Sequence, residues 1–309
     1  MIQVKNLSYE ISGFTILNDI SFEIPENQIV GFLGVNGAGK TSTLDILSGC
    51  SKYYKGSIQF DGQELSKNEQ TILASVGYLP DEPPLYEDLI VKEYLEYVAG
   101  LYNLDAKKFK LRYCTVIEQF ELASVQDKLI STLSKGYRQR VSLAAVLLHE
   151  PKYIFLDEPT EGLDPSQIKK IRETILKLKE SHTIFLSSHI LSEVENICDQ
   201  LVVIDSGKII RQGAVGEIRS EITGEKVYEI KFGGSNDVIR ESLEGLKDIK
   251  VSKIDKGKIV FSLLQPQRSL NEILETLIRN QIEIYEISLH QENIESMFFN
   301  MINEGKDHE

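Results

Sequence analysis

Residues 34–41 read GVNGAGKT, and this octet restricts the fold more than any other stretch of the chain. It fits the pattern G-x-x-x-x-G-K-[ST], follows the apolar run QIVGFL and opens into TSTLDILSG, which has helical character. Gly34, Gly37 and Gly39 let the backbone curl until its N–H groups converge. Convergent N–H donors at the head of a helix bind an anion. The loop residues Val35, Asn36 and Ala38 and the following Ser42 belong to this cradle. Lys40 can bridge β- and γ-phosphates, and the Thr41 hydroxyl can ligate Mg²⁺. A chain with such a loop carries a strand–loop–helix unit, which places it among α/β folds with a mostly parallel sheet.

Two further apolar runs end in chemistry. KYIFLDEPT (152–160) reads as a buried strand with two acids at its tip. Asp157 is suited to hold Mg²⁺ through water, and Glu158 to act as general base on an attacking water. TIFLSSH (183–189) reads as another buried strand and delivers His189. Ligands gather at the carboxyl ends of parallel strands, so His189 is placed to sense or polarise a γ-phosphate. LSKGYRQR (133–140) contains no acid, base or nucleophile for difficult chemistry, but it opens the helical run VSLAAVLLHE. Ser134 and Gly136 there present backbone N–H groups to an anion.

The remaining pattern divides the chain into two domains. In the first, over 1–215, IQVKNLSYEI, TILNDISFEI, SIQFDG and ASVGYLP read as strands. Residues 91–125 are mostly helical, as are Tyr137–His149, 165–180 from Pro165, and ILSEVENIC. A helical subdomain is expected over about 82–140, and QLVVIDSGKIIRQG reads as a hairpin. From 216 to 309 the order becomes βαββαβ with a terminal helix, which predicts a small ferredoxin-like α+β domain.

Composition excludes several classes. The 309 residues carry a formal net charge of −13, and no basic face of the kind nucleic acid requires is visible. Cys50, Cys114 and Cys198 are too far apart for a zinc site or a disulfide framework and read as reduced, buried or inert thiols. No signal peptide precedes the first strand, and no apolar run is long enough to span a bilayer. A cytoplasmic location follows, with any membrane contact made indirectly through another chain.

With GVNGAGKT, LSKGYRQR, YIFLDEPTEGLD and SSH in this order over about residues 2–215, the chain closely resembles the ATP-binding cassette ATPases. The resemblance implies a P-loop NTPase cassette with ATP and Mg²⁺ as cofactors. It makes GVNGAGKT the Walker A motif, Asp157 the metal-side carboxylate and Glu158 the catalytic base. His189 becomes the switch histidine, EGLD the D-loop with Asp164 contributing across a dimer, and LSKGYRQR the signature, with Ser134 and Gly136 as γ-phosphate contacts. It also implies a homodimer or heterodimer of ATPases sandwiching two ATP molecules, with a transmembrane permease as partner. The protein is then peripheral on the cytoplasmic face of the membrane.

The chain departs from the family pattern at three places. Lys135 and Tyr137 stand where the signature usually has Gly and Gln, a variant seen among bacterial export ATPases of gliding-motility and drug- or bacteriocin-resistance systems. Asp81 stands at the Q-loop glutamine, where a carboxylate can still accept from Mg²⁺-bound water, with Glu82 as a substitute. Ile11 stands at the adenine-stacking aromatic, leaving Tyr9 or Phe14 as replacements. The resemblance implies an exporter subunit. The competing functions are a cassette protein acting on nucleic acid or ribosomes, and a non-hydrolysing binding module. Only 93 residues separate Lys40 from Leu133, without sustained heptads, which disfavours the first of these. Lys40, Thr41, Asp157, Glu158 and His189 are all present, which disfavours the second.

Overall fold

The computed structural model describes residues 1–218, 227–233, 239, 249–255, 257–263 and 270–289. The chain forms two compact units, Met1–Ile218 and Arg219–Glu309.

The first unit opens with β1 (Ile2–Ile11), β2 (Phe14–Ile24), β3 (Ile29–Leu33), α1 (Lys40–Leu47), β4 (Tyr54–Phe60), β5 (Gln63–Glu64), α2 (Glu69–Leu73) and β6 (Val76–Leu79). The helices α3 (Val91–Leu101), α4 (Ala106–Gln119) and α5 (Lys135–Leu147) follow. It closes with β7 (Tyr153–Leu156), α6 (Pro165–Leu178), β8 (Thr183–Ser188), α7 (Leu191–Val194), β9 (Gln200–Asp205) and β10 (Lys208–Ala214). Two sheets result: an antiparallel one ordered β2-β1-β4-β5, and a six-stranded one ordered β10-β9-β3-β8-β7-β6. In the latter β9, β3, β8, β7 and β6 run parallel, and only β10 is reversed.

Each sheet follows from its sequence pattern. Every residue of β3, β7 and β8 is buried, as expected of parallel strands covered on both faces. β1 buries Ile2 and Val4 with Gln3 between them, the alternation of a strand with one wetter face. The sheets meet through aromatic rings. Phe22 of β2 stacks 5.7 Å from Phe32 of β3 and 5.6 Å from Phe185 of β8, while Phe60 of β4 meets Tyr153 of β7 edge-on at 5.1 Å. α1 buries Leu44, Ile46 and Leu47 in the same core.

The helical portion is fastened to this core at His149. Its ring lies flat on Tyr102, centroids 3.7 Å apart, and its Nε2 lies 3.1 Å from the Val76 carbonyl of β6. Burial holds the imidazole well below its ordinary pKa, at about 4, so it is neutral.

Three sequence expectations need adjustment. α5 begins at Lys135, two residues before Tyr137, because Ser134 takes the N-cap position and its Oγ accepts from Tyr137 N. The helix expected over ILSEVENIC is only Leu191–Val194, and the bond from Ile197 N to Val194 O tightens the chain into a turn there. All three cysteines are free thiols as expected, but of the alternatives buried or inert, burial does not apply to the exposed Cys50 and Cys114, whereas burial pushes the Cys198 thiol far up.

In the second unit, β11 (Val227–Gly233), β12 (Ile249–Asp255), β13 (Lys258–Leu263), α8 (Leu270–Arg279) and β14 (Glu283–Leu289) build an antiparallel sheet ordered β12-β13-β11-β14. β13 separates β11 from β12, and β11 separates β13 from β14, the split arrangement of a ferredoxin-like βαββαβ chain. Ile230, Phe232, Ile259, Phe261, Ile273 and Leu277 form its core, while Lys231–Glu286 and Lys258–Glu229 pair on the surface. The expected helices NDVIRESLEGL, apart from Ile239, and ENIESMFFNMI lie outside the described residues.

Candidate nucleotide site

Four neighbouring strands of the parallel sheet deliver the candidate residues from their carboxyl ends. β3 runs into the 34–41 loop, β8 into His189, β7 into Asp157 and Glu158, and β6 towards Asp81. This is where a parallel α/β sheet binds ligands.

The loop requires its glycines. Gly37 and Gly39 have φ of 82° and 107°, left-handed values that L side chains rarely adopt. A Cβ on Gly34 would come within 2.4 Å of the Ile204 carbonyl oxygen, whereas one on Gly37 would meet nothing within 4 Å. The loop is therefore packed tightly against the protein at Gly34 and open at Gly37.

Lys40 curls back over this loop. Its Nζ donates to the carbonyls of Gly34 at 2.8 Å and Val35 at 3.3 Å, and stands 3.3 Å from Oε1 of Glu158. Oε2 of Glu158 lies 3.0 Å from Nδ1 of His189. Glu158 is held with φ of 43°, an unusual backbone for a residue with a side chain. Asp157 is fully buried, with Oδ1 accepting from Ser187 Oγ at 2.5 Å. Asp157 Oδ2 and Glu158 Oε1 are buried without a hydrogen-bond partner among the described residues.

A cleft of about 400 Å³ opens above this cluster, lined by Asn36, Gly37, Lys40, Thr41, Asp81 and Glu158, with Ser42 and Gly39 also at its wall. The site suits a phosphate-bearing ligand, given its loop, its ammonium group and its helix N-terminus. Its free oxygen donors are hard ones, the Thr41 hydroxyl and the unpartnered Asp157 Oδ2, which suit Mg²⁺. No three His, Cys, Asp or Glu converge into a metal-holding group among the described residues.

Asp81 lies between two cavities. It lines the cleft, and also a neighbouring cavity of about 510 Å³ with Glu82, Lys135 and Arg138. Burial, with the nearby Glu161, Asp157 and Glu82 carboxylates, pushes its carboxyl up, and Lys135 partly offsets this.

The signature residues lie elsewhere. Neither Ser134 nor Gly136 lines the cleft. Ser134 caps α5, and a Cβ on Gly136 would fall 2.4 Å from Cδ of Gln167. Arg140 stacks over the Tyr137 ring at 4.3 Å. Gln139 of the same helix donates from Nε2 to the Pro159 carbonyl at 2.9 Å, just beyond Glu158. Asp164 is also outside the cleft. Its Oδ1 caps α6, accepting from Ser166 N and Gln167 N at 3.0 Å and from Ser166 Oγ at 2.6 Å, and these bonds hold its carboxyl below the usual range.

Around the first β-hairpin the open choice of aromatic narrows. Tyr9 accepts a hydrogen bond from Ser51 Oγ and packs on the core, so its ring is committed. Phe14 is 75% exposed and pairs across the strands with Ile11. Ile16, two residues further along β2, lines the cleft. Sequence reasoning missed Ile16, Glu161 and Ser187. Ile16 offers no chemical signal, whereas Glu161 sits inside EGLD and Ser187 inside SSH.

Comparison with known proteins agrees with this geometry. The ABC transporter family matches residues 17–161. The chain is 32% identical to the bacitracin transport ATP-binding protein BcrA of Bacillus licheniformis over 99% of its own length and 98% of that protein. It is 30% identical to the linearmycin resistance ATP-binding protein LnrL of Bacillus subtilis, covering 97% and 98% of the two chains. A solved ATP-binding subunit of an ABC transporter superposes with a TM-score of 0.65 at 31% identity, covering 72% of this chain and 92% of that one. The chain belongs to the ABC transporter ATP-binding proteins and is an ATPase of that family.

Proposed function

We propose that this ATPase powers export through a separate transmembrane permease, working as one of a pair of cassettes closed around two ATP–Mg²⁺. The observation that carries the reading is the cluster Lys40–Glu158–His189, in which one carboxylate spans the ammonium group at 3.3 Å and the imidazole at 3.0 Å. Lys40 and the N–H groups of residues 34–42 bind and neutralise the phosphates. Glu158 takes the proton of the attacking water, while His189 holds its second oxygen in place. Thr41, Asp157 and Asp81 are the residues that would hold Mg²⁺. When bound, the ion would supply charge neutralisation for the phosphate oxygens. Ser134, Gly136 and Asp164, outside this chain's own cleft, complete the site of the partner cassette. Phe14, with Ile11 beside it, supplies the apolar platform for the base.

Export is supported by the named relatives, one a bacitracin transport protein and one a linearmycin resistance protein. These also favour transport over action on nucleic acid or ribosomes. Among the described residues no helix is long and apolar enough to cross a membrane. The docking point of the permease is the loop Asp81–Leu89, where Tyr86 is half exposed and contacts the rings of Tyr94 and Tyr97 at 6.3 and 5.2 Å. The cassette, 1–215, does the hydrolysis, and 216–309 is an accessory domain.

The test is Glu158→Gln in the full chain. Loss of the base should lower phosphate release about 10²–10⁴-fold. ATP binding should persist, and an ATP-bound dimer should accumulate on size-exclusion chromatography. Hydrolysis at the parent rate would remove Glu158 from the mechanism.

A further inference from the structure

We propose that Ser187 is a positioning residue for the hydrolytic centre, setting both the metal-side carboxylate and the backbone of the base. The inference rests on the reading of Asp157 and Glu158 given above. Ser187 is the penultimate residue of β8, is fully buried, and lies beside the end of β7 because Leu156 pairs with Leu186 in register. A hydroxyl has one proton to give and lone pairs to accept with. Here the proton goes to Asp157 Oδ1 at 2.5 Å, and Oγ accepts from the Glu158 N–H at 2.9 Å.

Each bond has a separate effect. The first occupies Oδ1, so that Oδ2 is the one Asp157 oxygen left unpartnered and available to an ion or its water. The second anchors the peptide of a residue held at φ of 43°, where ordinary side chains resist staying. Removing the hydroxyl would free the Asp157 carboxylate to rotate and leave the Glu158 N–H without its acceptor.

The adjacent Ser188 does something else: its Oγ accepts from Ile190 N at 3.0 Å and so shapes the turn into α7. The run Ser187-Ser188-His189 thus divides its work. Ser187 serves the acid pair through Asp157 and the Glu158 peptide, Ser188 serves the turn, and His189 serves the Glu158 side chain.

The test uses the full chain with Ser187→Ala, Ser187→Thr and Asp157→Asn. Three quantities are read: ATP affinity in EDTA, Mn²⁺ affinity of the ATP-loaded protein by electron paramagnetic resonance, and steady-state phosphate release. Outer-shell partners of metal ligands are worth about 10–100-fold. Ser187→Ala should therefore weaken Mn²⁺ binding and lower turnover by about that factor, with metal-free ATP affinity unchanged. Ser187→Thr, which keeps the hydroxyl in a strand position suited to β-branching, should restore both.

Parallel loss of metal-free ATP binding in Ser187→Ala would reduce Ser187 to a packing role and overturn the proposal. So would unchanged Mn²⁺ affinity in Ser187→Ala while Asp157→Asn loses it. If Asp157→Asn itself keeps full Mn²⁺ affinity, the reading of Asp157 fails first. Should Ser187→Ala not fold, Ser187→Cys gives the same discrimination, since a thiol of similar size is a far weaker donor.

Discussion

The Nζ of Lys40 and Oε1 of Glu158 stand 3.3 Å apart with both side chains almost wholly buried. The ammonium group proposed to bind phosphate and the carboxylate proposed to activate water are therefore in direct contact at the floor of the cleft. Lys40→Ala removes a charge-assisted contact and leaves Glu158 facing the phosphates unbalanced. ATP affinity in an equilibrium assay should fall by about 10–100-fold, corresponding to ~1.5–3 kcal/mol. An unchanged affinity would take Lys40 out of its role.

Gly136 separates packing from chemistry. Gly136→Ala drives a methyl group into Gln167, 2.4 Å from its Cδ, and should cost about 1–3 kcal/mol of stability. Adding Gln167→Ala removes the obstructing side chain and should recover the melting temperature. If Gly136 meets the γ-phosphate of the partner cassette, as proposed above, turnover should fall in Gly136→Ala and stay low in the double variant although the melting temperature recovers. Recovery of both would mean that Gly136 acts only through packing.

Phe14, proposed above as part of the platform for the base, is a surface residue. Since its ring is 75% exposed, Phe14→Ala should leave the melting temperature nearly unchanged. Loss of an aromatic contact with the base should weaken ATP binding by about 3–10-fold. Tyr9→Phe breaks only the Ser51 hydrogen bond and should bind ATP like the parent. Competition binding with both variants measures the difference.

His149 gives the cassette an acid-sensitive stability. Burial lowers its folded pKa to about 4, while an unfolded imidazole titrates near its ordinary value of about 6.5. A depressed base takes up its proton more readily in the unfolded chain. Its contribution is therefore full above pH ~6.5, declines as pH falls towards ~4, and is constant below. Denaturant titrations across that window should show a loss of up to ~3 kcal/mol, and His149→Gln should flatten it.

Much of this organisation is legible in the sequence because buried parallel strands announce themselves. QIVGFL, YIFL and TIFLSS are apolar runs that stop where a functional side chain starts. GVNGAGKT is legible because its backbone cannot take that path without glycine. Other features have no local signal. Ile16 reaches the cleft only through the course of β2 past the loop. The choice of Phe14 over Tyr9 depends on a hydrogen bond to Ser51, 42 positions away. Ser187 carries no signal of its own, since a serine in a strand looks neutral until the neighbouring strand places two acids beside it. The spacing of Ile190, Val194 and Ile197 mimics a longer α7, although the backbone closes into a turn after Val194.

The 2.9 Å bond from Gln139 Nε2 to the Pro159 carbonyl spans only a small gap. It couples the helix headed by Ser134 to the strand tip that carries Asp157 and Glu158. In the paired arrangement proposed above, the first of these completes the other cassette's site and the second belongs to this one. Gln139 then works as a tie rod with little slack. In that arrangement a shift of α5 on one nucleotide would be felt at the acid pair that serves the other.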